Sequence, residues 1–313
     1  MAGLVALGGL AALFFSSTFV LNRVMSLAGG HWFWSAGLRY AFMILLLCVL
    51  FPATGQTRLL RAAFAEWRRN LGFWSLAGGI GFGVFYSLLC YSAAYAPGWI
   101  VATTWQATIL ATPVVLLLFG KPVPGKGLIC VALIFCGILM VNLEHAASVP
   151  FADLLAGACP VLVAALAYPL GNQMVWEARH GKAAGRRDMD HEVLDSSFGR
   201  VLLLSLGSLP FWLVLGALVR PPLPPMGQVA DTFLVALLSG VAATSLFLAA
   251  RHRARTSFEI AAVDATQSAE VLFTLLGEVL LLGAPWPGGL GLCGIALALL
   301  GLALSLRARE KTA

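Results

Sequence analysis

Asp264, Glu270 and Glu278 fall within fifteen positions of one another in an otherwise apolar run, together with Gln267, Ser268 and Thr274. At about 100° per residue of helix, Asp264, Gln267, Glu270, Thr274 and Glu278 share an arc of about 120°. Ala262, Ala265, Leu272, Phe273, Leu276 and Leu280 cover the opposite side. A carboxyl group in such a setting can take up and release a proton or hold a cation, because its charge is costly away from water unless something compensates it. Glu270 is the deepest of the three, about twelve residues from either end of the run, and is the first candidate for proton or cation handling. Asp264 follows it, and Glu278 is expected nearer a surface.

The opposite charge occurs in WSAGLRYAFMILLL, Trp34 to Leu47, where Arg39 interrupts an apolar stretch, and again as Arg200 in SSFGRVLLLSLG. A guanidinium there can bind an anion or clamp neighbouring helices through its fixed fork of donors. Among uncharged side chains, Tyr91, Trp105 and Tyr168 offer aromatic faces for stacking, and Gln106 and Asn172 offer amides. The competing role for such amides is to join helices by hydrogen bonds, and for the tyrosines it is packing or anchoring at a membrane interface.

Other chemistries lack a pattern. The five histidines lie at run ends or in loops without metal-ligand spacing, and the six cysteines show no CxxC spacing, so no metal or cofactor site is expected. The glycine run at 78–83 has no preceding strand and reads as close helix packing. Gly120-Lys-Pro-Val-Pro-Gly125 lacks the Ser/Thr that a phosphate loop needs after its lysine. No nucleophile, base and metal constellation suggests a membrane-embedded enzyme, which leaves that class the least favoured.

The elements that must carry these residues follow from composition. Of 313 residues, 60% are hydrophobic and only 11% charged, with a mean hydropathy of +0.89, values that exclude an ordinary soluble domain. A bilayer-spanning helix needs about 20 apolar residues. Such runs fall at about 3–27, 31–51, 71–96, 98–120, 126–144, 151–177, 197–219, 231–251, 258–283 and 288–306. The sequence thus predicts an all-α integral membrane protein of ten spans, with tight Pro- and Gly-rich connections making neighbours antiparallel.

Sixteen of the twenty basic residues lie in the loops after spans 2, 4, 6 and 8 and in the tail. Basic loops stay cytoplasmic, which predicts both termini inside, in a bacterial inner membrane. It also makes the +6 net charge a topology signal rather than a nucleic-acid footprint. The longest connection, 179–195, mixes both charge signs and reads as a cytoplasmic linker, while 58–69 suits a short helix on the membrane surface.

Internal similarity then relates the two halves. Arg39 aligns with Arg200, Gly79 with Gly240 and Gln106 with Gln267, all at an offset of 161, and the glycine-rich spans 5 and 10 also match. Two five-span repeats, 1–145 and 150–310, must enter the membrane from opposite sides because five is odd. This is an inverted-topology repeat, the arrangement that places a site near the midplane. The duplication favours a structural or gating role for Arg39 and Arg200, and no acid pairs with Glu270, whose counterpart is Ile109.

The opening LFFSSTFVLNRVMSLAGGHWFWSAGLRYAFM and the closing LLGEVLLLGAPWPGGLGLCGIALALLGLAL, within this ten-span frame, resemble the drug/metabolite transporter superfamily. The nearest likeness is to its EamA-like multidrug resistance efflux transporters. The resemblance implies a ten-helix secondary transporter with a central cavity, exporting a small organic solute, a drug or a metabolite such as an amino acid, by proton-linked or facilitated exchange. An exchanger for an anionic metabolite held by Arg39 or Arg200 is the alternative. Gly277-Glu278 matches a pair that ends the fourth span of EamA-like halves, whereas the first half has Gly120-Lys121. The four-helix small multidrug relatives carry a proton-coupling glutamate in span 1, and span 1 here has no carboxylate.

Overall fold

The computed structural model describes residues 2–121, 128–180, 189–254, 259, 263 and 266–310, with the backbone alone for 128–131, 252 and 305–310. All described regular structure is helical. The helices are α1 (Ala2–Leu27), α2 (Trp32–Ala53), α3 (Thr57–Arg69), α4 (Leu71–Ser92), α5 (Gly98–Leu118) and α6 (Leu128–Ala146). They continue as α7 (Phe151–Arg179), α8 (His191–Asp195), α9 (Ser197–Val219), α10 (Met226–Arg251), α11 (Ala269–Leu282) and α12 (Gly289–Glu310). Seven of these, α1, α2, α4, α5, α7, α9 and α10, are long and apolar enough to cross a membrane, and α6 and α12 contain the shorter apolar stretches Ala132–Ala146 and Gly289–Leu304. The protein is a multi-pass membrane protein.

The boundaries follow local chemistry. Pro97, Pro150 and Pro225 stand immediately before α5, α7 and α10, where a missing N–H costs nothing. His31 caps α2 by accepting from the Phe33 N–H at 3.2 Å, and Ser196 caps α9 by accepting from Gly199 N–H at 3.1 Å. Gly283, with φ of 63°, ends α11 in the left-handed conformation that suits glycine.

Three long helices are not regular throughout. α4 widens to π geometry over Gly79–Val84 and α10 over Ala236–Ala243. α5 tightens at Gln106, whose N–H donates to Thr103 O at 3.1 Å rather than to Ala102 O. The carbonyl of Ala102 so released accepts instead from the Gln106 side chain, Nε2, at 3.2 Å. The expectation of one unbroken helix over 258–283 is corrected likewise. A 3-10 turn covers Thr266–Ser268 and the α-helix starts at Ala269, so Gln267 does not share a helical wheel with Glu270.

Apolar lipid gives helices little reason to associate, so close contact between small residues matters more here than in water. The crossing of α4 and α7 shows it: a Cβ added at Gly81 would come within 3.0 Å of the Gly171 Cα. α1 packs against α10 and α11, while α7 packs against α4 and α5. α2 meets α10, α9 meets α4, and α6 pairs chiefly with α12. Side-chain contacts sort the helix ends into two groups, one around Gly98 and Gly288 and the other around Lys121 and Asp190.

Candidate functional site

Between these helices lies a cavity of about 350 Å³, lined from α1, α2, α4, α5, α7, α9, α10 and α11. Two charged residues line it, Arg39 from α2 and Glu270 from α11. Nine of the other nineteen lining residues are aromatic.

Arg39 is fixed from three sides. Nη1 donates to Thr18 Oγ1 of α1 at 3.1 Å and Nη2 to Ser239 Oγ of α10 at 3.1 Å. Thr18 and Ser239 also bond to each other at 2.7 Å. The guanidinium carbon stands 4.2 Å from the ring centre of Tyr86, a geometry in which the ring face attracts the cation. Its Nε has no partner, and no acid approaches the guanidinium within ion-pair distance among the described residues. The positive charge is therefore held by neutral groups. Ser239 reaches it from within the π segment of α10, and Phe82, on the cavity wall, comes from the π segment of α4. Such irregular turns re-aim side chains that a regular helix would point elsewhere.

Glu270 occupies the first turn of α11, where the partial positive charge of the helix terminus complements a carboxylate. It too makes no ion pair among the described residues. On the wall of the same cavity, Phe85, Trp105 and Tyr168 form a triangle with ring centres 4.9, 5.0 and 5.6 Å apart. A second pocket, about 320 Å³, shares Phe82, Tyr168, Val201, Thr244 and Leu248 with the first and reaches Asn172, Trp176, Arg179 and Arg200.

The residues singled out in the sequence are thus partly brought together. Arg39, Trp105, Tyr168, Gln267 and Glu270 line the main cavity. Asn172 and Arg200 line the second pocket. Gln106 is buried at the break in α5. Tyr91 stands apart, with its hydroxyl 3.3 Å from that of Tyr95 and its ring 5.7 Å from that of Trp32. Asp264 lies outside the described residues.

The two repeated arginines have different surroundings. Arg200 donates to the backbone carbonyls of Leu194 and Asp195 and, at 2.9 Å, to Ser197 Oγ, binding the start of its own helix. Glu278 is not near Glu270 in role either. It is 1% exposed and accepts from the first backbone N–H groups of α5, Gly98 at 2.6 Å and Trp99 at 3.1 Å.

Several residues escaped the sequence reading. Thr18 sits in a serine and threonine cluster that reads as packing surface, and Ser239, Phe85 and Tyr86 carry no signal beyond ordinary composition. The offset of 161 held one usable clue: Gln106 lies at the break in α5 and Gln267 in the 3-10 turn that precedes α11.

A family described as "EmrE: Putative multidrug resistance efflux transporter" matches residues 2–311. The chain belongs to this family. An EmrE-family assignment means a small-molecule transport protein of the membrane, with no enzymatic reaction. Relatives named only "Uncharacterized protein YjlA" of Bacillus subtilis (strain 168) and "Uncharacterized 42.1 kDa protein in intracellular alkaline protease 3'region" of Shouchella clausii are similar to it. The first is 39% identical, with 96% of this chain aligned to 93% of that one, and the second 37% identical, with 80% aligned to 65%. A crystal structure of another protein superimposes on 98% of this chain and 97% of its own with a TM-score of 0.62; at 15% identity this shows a shared fold alone.

Proposed function

We propose that this EmrE-family protein is a secondary active transporter that exports a small organic solute, a drug or a metabolite, by alternating access. Its frame in this reading is ten spans in two inverted repeats, 1–145 and 150–310, with the charged linker 179–195 and both termini on the cytoplasmic side of a bacterial inner membrane.

The packing supports the inverted repeat. Contacts of α1 with α10 and α11 have their counterparts in those of α7 with α4 and α5, and contact of α2 with α10 corresponds to that of α9 with α4. Equivalent spans also carry equivalent irregularities. The π segments fall in α4 and α10, and the breaks fall at Gln106 and next to it at Gln267 in the offset register. Discontinuous helices around a central site suit a transporter, because their exposed ends offer polar groups where a regular helix would offer none.

The observation that carries the functional reading is the cavity, lined by an arginine and a glutamate that make no ion pair among the described residues. Glu270 is the group for proton coupling, and Arg39, Gln267, Trp105 and Tyr168 are the groups for solute contact. Purified protein in liposomes should move solute when a pH gradient is imposed, and Glu270→Gln should abolish the gradient dependence. A pH gradient that neither drives nor responds to solute movement across a broad solute panel counts against the reading.

An exchanger for an anionic metabolite is the second reading, favoured by the neutral partners of Arg39. Labelled solute trapped inside would then leave only against external solute, and a pH gradient would have no effect.

A further inference from the structure

α3 carries four arginines, Arg58, Arg61, Arg68 and Arg69, and all four are exposed. With Arg58 at 0° and about 100° per residue, they share an arc of about 100°, from about 280° to about 20°. The residues that α3 buries, Leu59, Ala63 and Glu66, fall between about 80° and 140°. Leu60, Phe64 and Trp67 are half-buried and cover about 180° to 240°, between the buried face and the basic one. The helix thus has three sides: one against the protein, one apolar and partly open, and one basic. Its single acid, Glu66, lies on the protein side and pairs with Arg69 alone, at 2.6 Å.

The fold makes little use of the other three charges. Arg58 reaches Glu192 only at 3.7 Å, and Arg61 and Arg68 make no hydrogen bond or ion pair among the described residues. Like charges gathered on one helix face repel each other, so the alignment costs stability unless an anion meets it. Membrane insertion does not ask for the alignment either, because the rule that keeps basic loops on one side counts charges and is indifferent to the face on which they stand. α3 joins α2 to α4, two helices long and apolar enough to cross a membrane, so it lies where the chain leaves and re-enters the bilayer. A basic face beside a partly open apolar one matches phosphates lying above acyl chains.

We infer that α3 binds anionic phospholipid headgroups, with Arg58, Arg61 and Arg68 on the phosphates and Leu60, Phe64 and Trp67 against the acyl chains. The guanidinium fork suits phosphate oxygens, and each such residue strengthens attachment to an anionic surface roughly fivefold. The site is tied to the start of α9. Glu66, which holds Arg69, also accepts from the N–H of Asp190, the residue that caps α8, and α3 packs against α8 and α9. Lipid that holds α3 therefore steadies α8 as well. The inference stands apart from the transporter reading, since neither lipid binding here nor solute movement requires the other.

The test titrates phosphatidylglycerol and phosphatidylcholine onto the full-length protein in detergent and counts bound lipid by native mass spectrometry. Phosphatidylglycerol should bind roughly tenfold or more tightly than phosphatidylcholine, and salt should weaken it. Arg61→Gln with Arg68→Gln should remove most of that preference, while Arg61→Lys with Arg68→Lys should keep most of it. Arg251→Gln with Arg253→Gln, which removes two charges from the end of α10, should leave it unchanged. In nanodiscs, phosphatidylglycerol should slow hydrogen exchange over 57–69 and 191–195 in the parent and not in the glutamine variant. Soluble glycerol phosphate should fail to displace the lipid.

Equal affinity for the two lipids overturns the inference, as does a preference that survives the loss of Arg61 and Arg68. Equal loss in the Arg251 and Arg253 variant would reduce the effect to overall charge, and displacement by glycerol phosphate would make the site one for free phosphate; either result overturns it. If the double glutamine variant does not fold, Arg68→Gln alone decides, with a severalfold loss expected and an unchanged preference against.

Discussion

The two ends of the helix bundle are held together by different chemistry. Around Gly98 and Gly288, carboxylates accept directly from backbone N–H groups at the starts of helices. Glu278 of α11 takes Gly98 and Trp99 of α5, and Glu144 of α6 takes Gly288 at 2.8 Å and Gly291 at 2.7 Å at the start of α12. Gln228 donates to His31 O and Ser35 Oγ, both at 2.8 Å, and Arg23 donates to Ala93 O at 2.8 Å. Around Lys121 the contacts are chiefly ion pairs between side chains, Lys121 with Glu177 at 3.1 Å, Arg179 with Asp195 at 2.7 Å and Arg58 with Glu192 at 3.7 Å, the exception being buried Glu66, which accepts from the Asp190 N–H at 3.1 Å. The first kind is fixed at one partner by the backbone, and at Glu278 it is buried. The second spends side-chain freedom and is weakened by salt. The second pocket reaches Arg179 and Arg200 at the end around Lys121.

The largest effect should come from Glu278→Ala. It leaves two buried N–H groups unpaired and removes a charge-assisted bond, costing about 3 kcal/mol. Denaturation in detergent would measure the loss, and a cysteine placed at buried Ala96 should become reactive to thiol reagents in the same variant. Unchanged labelling of that cysteine would break the contrast between the two ends.

Glu144→Ala should cost less, about 1 kcal/mol, as for an ordinary helix cap, because part of its site is open to water. Reversal of the order between Glu144→Ala and Glu278→Ala in the same denaturation series would show that burial does not set the strength of these caps.

At the other end, a double-mutant cycle on Arg179 and Asp195, whose side chains are 41% and 61% exposed, should return about 1 kcal/mol or less. That coupling should shrink as salt rises from 0.05 to about 1 M, over which the screening length falls severalfold. The Glu278 effect should be nearly independent of salt, and equal salt dependence at both ends would remove the distinction.

The smallest effect is expected for Arg58→Ala. Arg58 and Glu192 are 89% and 57% exposed, and unfolding midpoints should agree with the parent within error.

Much of this was visible in the chain. Apolar runs and Pro-Gly breaks located the long helices, with α9 over the very residues 197–219 expected of it. Cost alone flagged Arg39 and Glu270, because a charge in an apolar run demands a reason. What the sequence hid were features that depend on backbone geometry. A π turn changes which carbonyl a given N–H reaches without altering composition, so Ser239 could not be placed beside Arg39. The wheel that grouped Glu270 with Glu278 assumed one regular helix and gave no account of the neighbours, so a residue facing the cavity and one capping α5 looked alike. Glu66 shows the same limit. It reads as one acid in a surface helix, yet it is 1% exposed and accepts from Arg69, Asn70, Trp74 and the backbone of Asp190.

The caps at Gly98 and Gly288 also set an order of events during synthesis. Glu278 is made 180 residues after the N–H group it receives, and Gly288 is made 144 residues after Glu144. At roughly 5 to 20 residues per second of translation, the start of α5 waits roughly 10 to 40 seconds for its acceptor. During that interval the chain carries two donors whose partner in the folded protein, Glu278, belongs to a helix not yet made. These two contacts are therefore among the last to form in making the protein, and a chain stopped short of Glu278 lacks them.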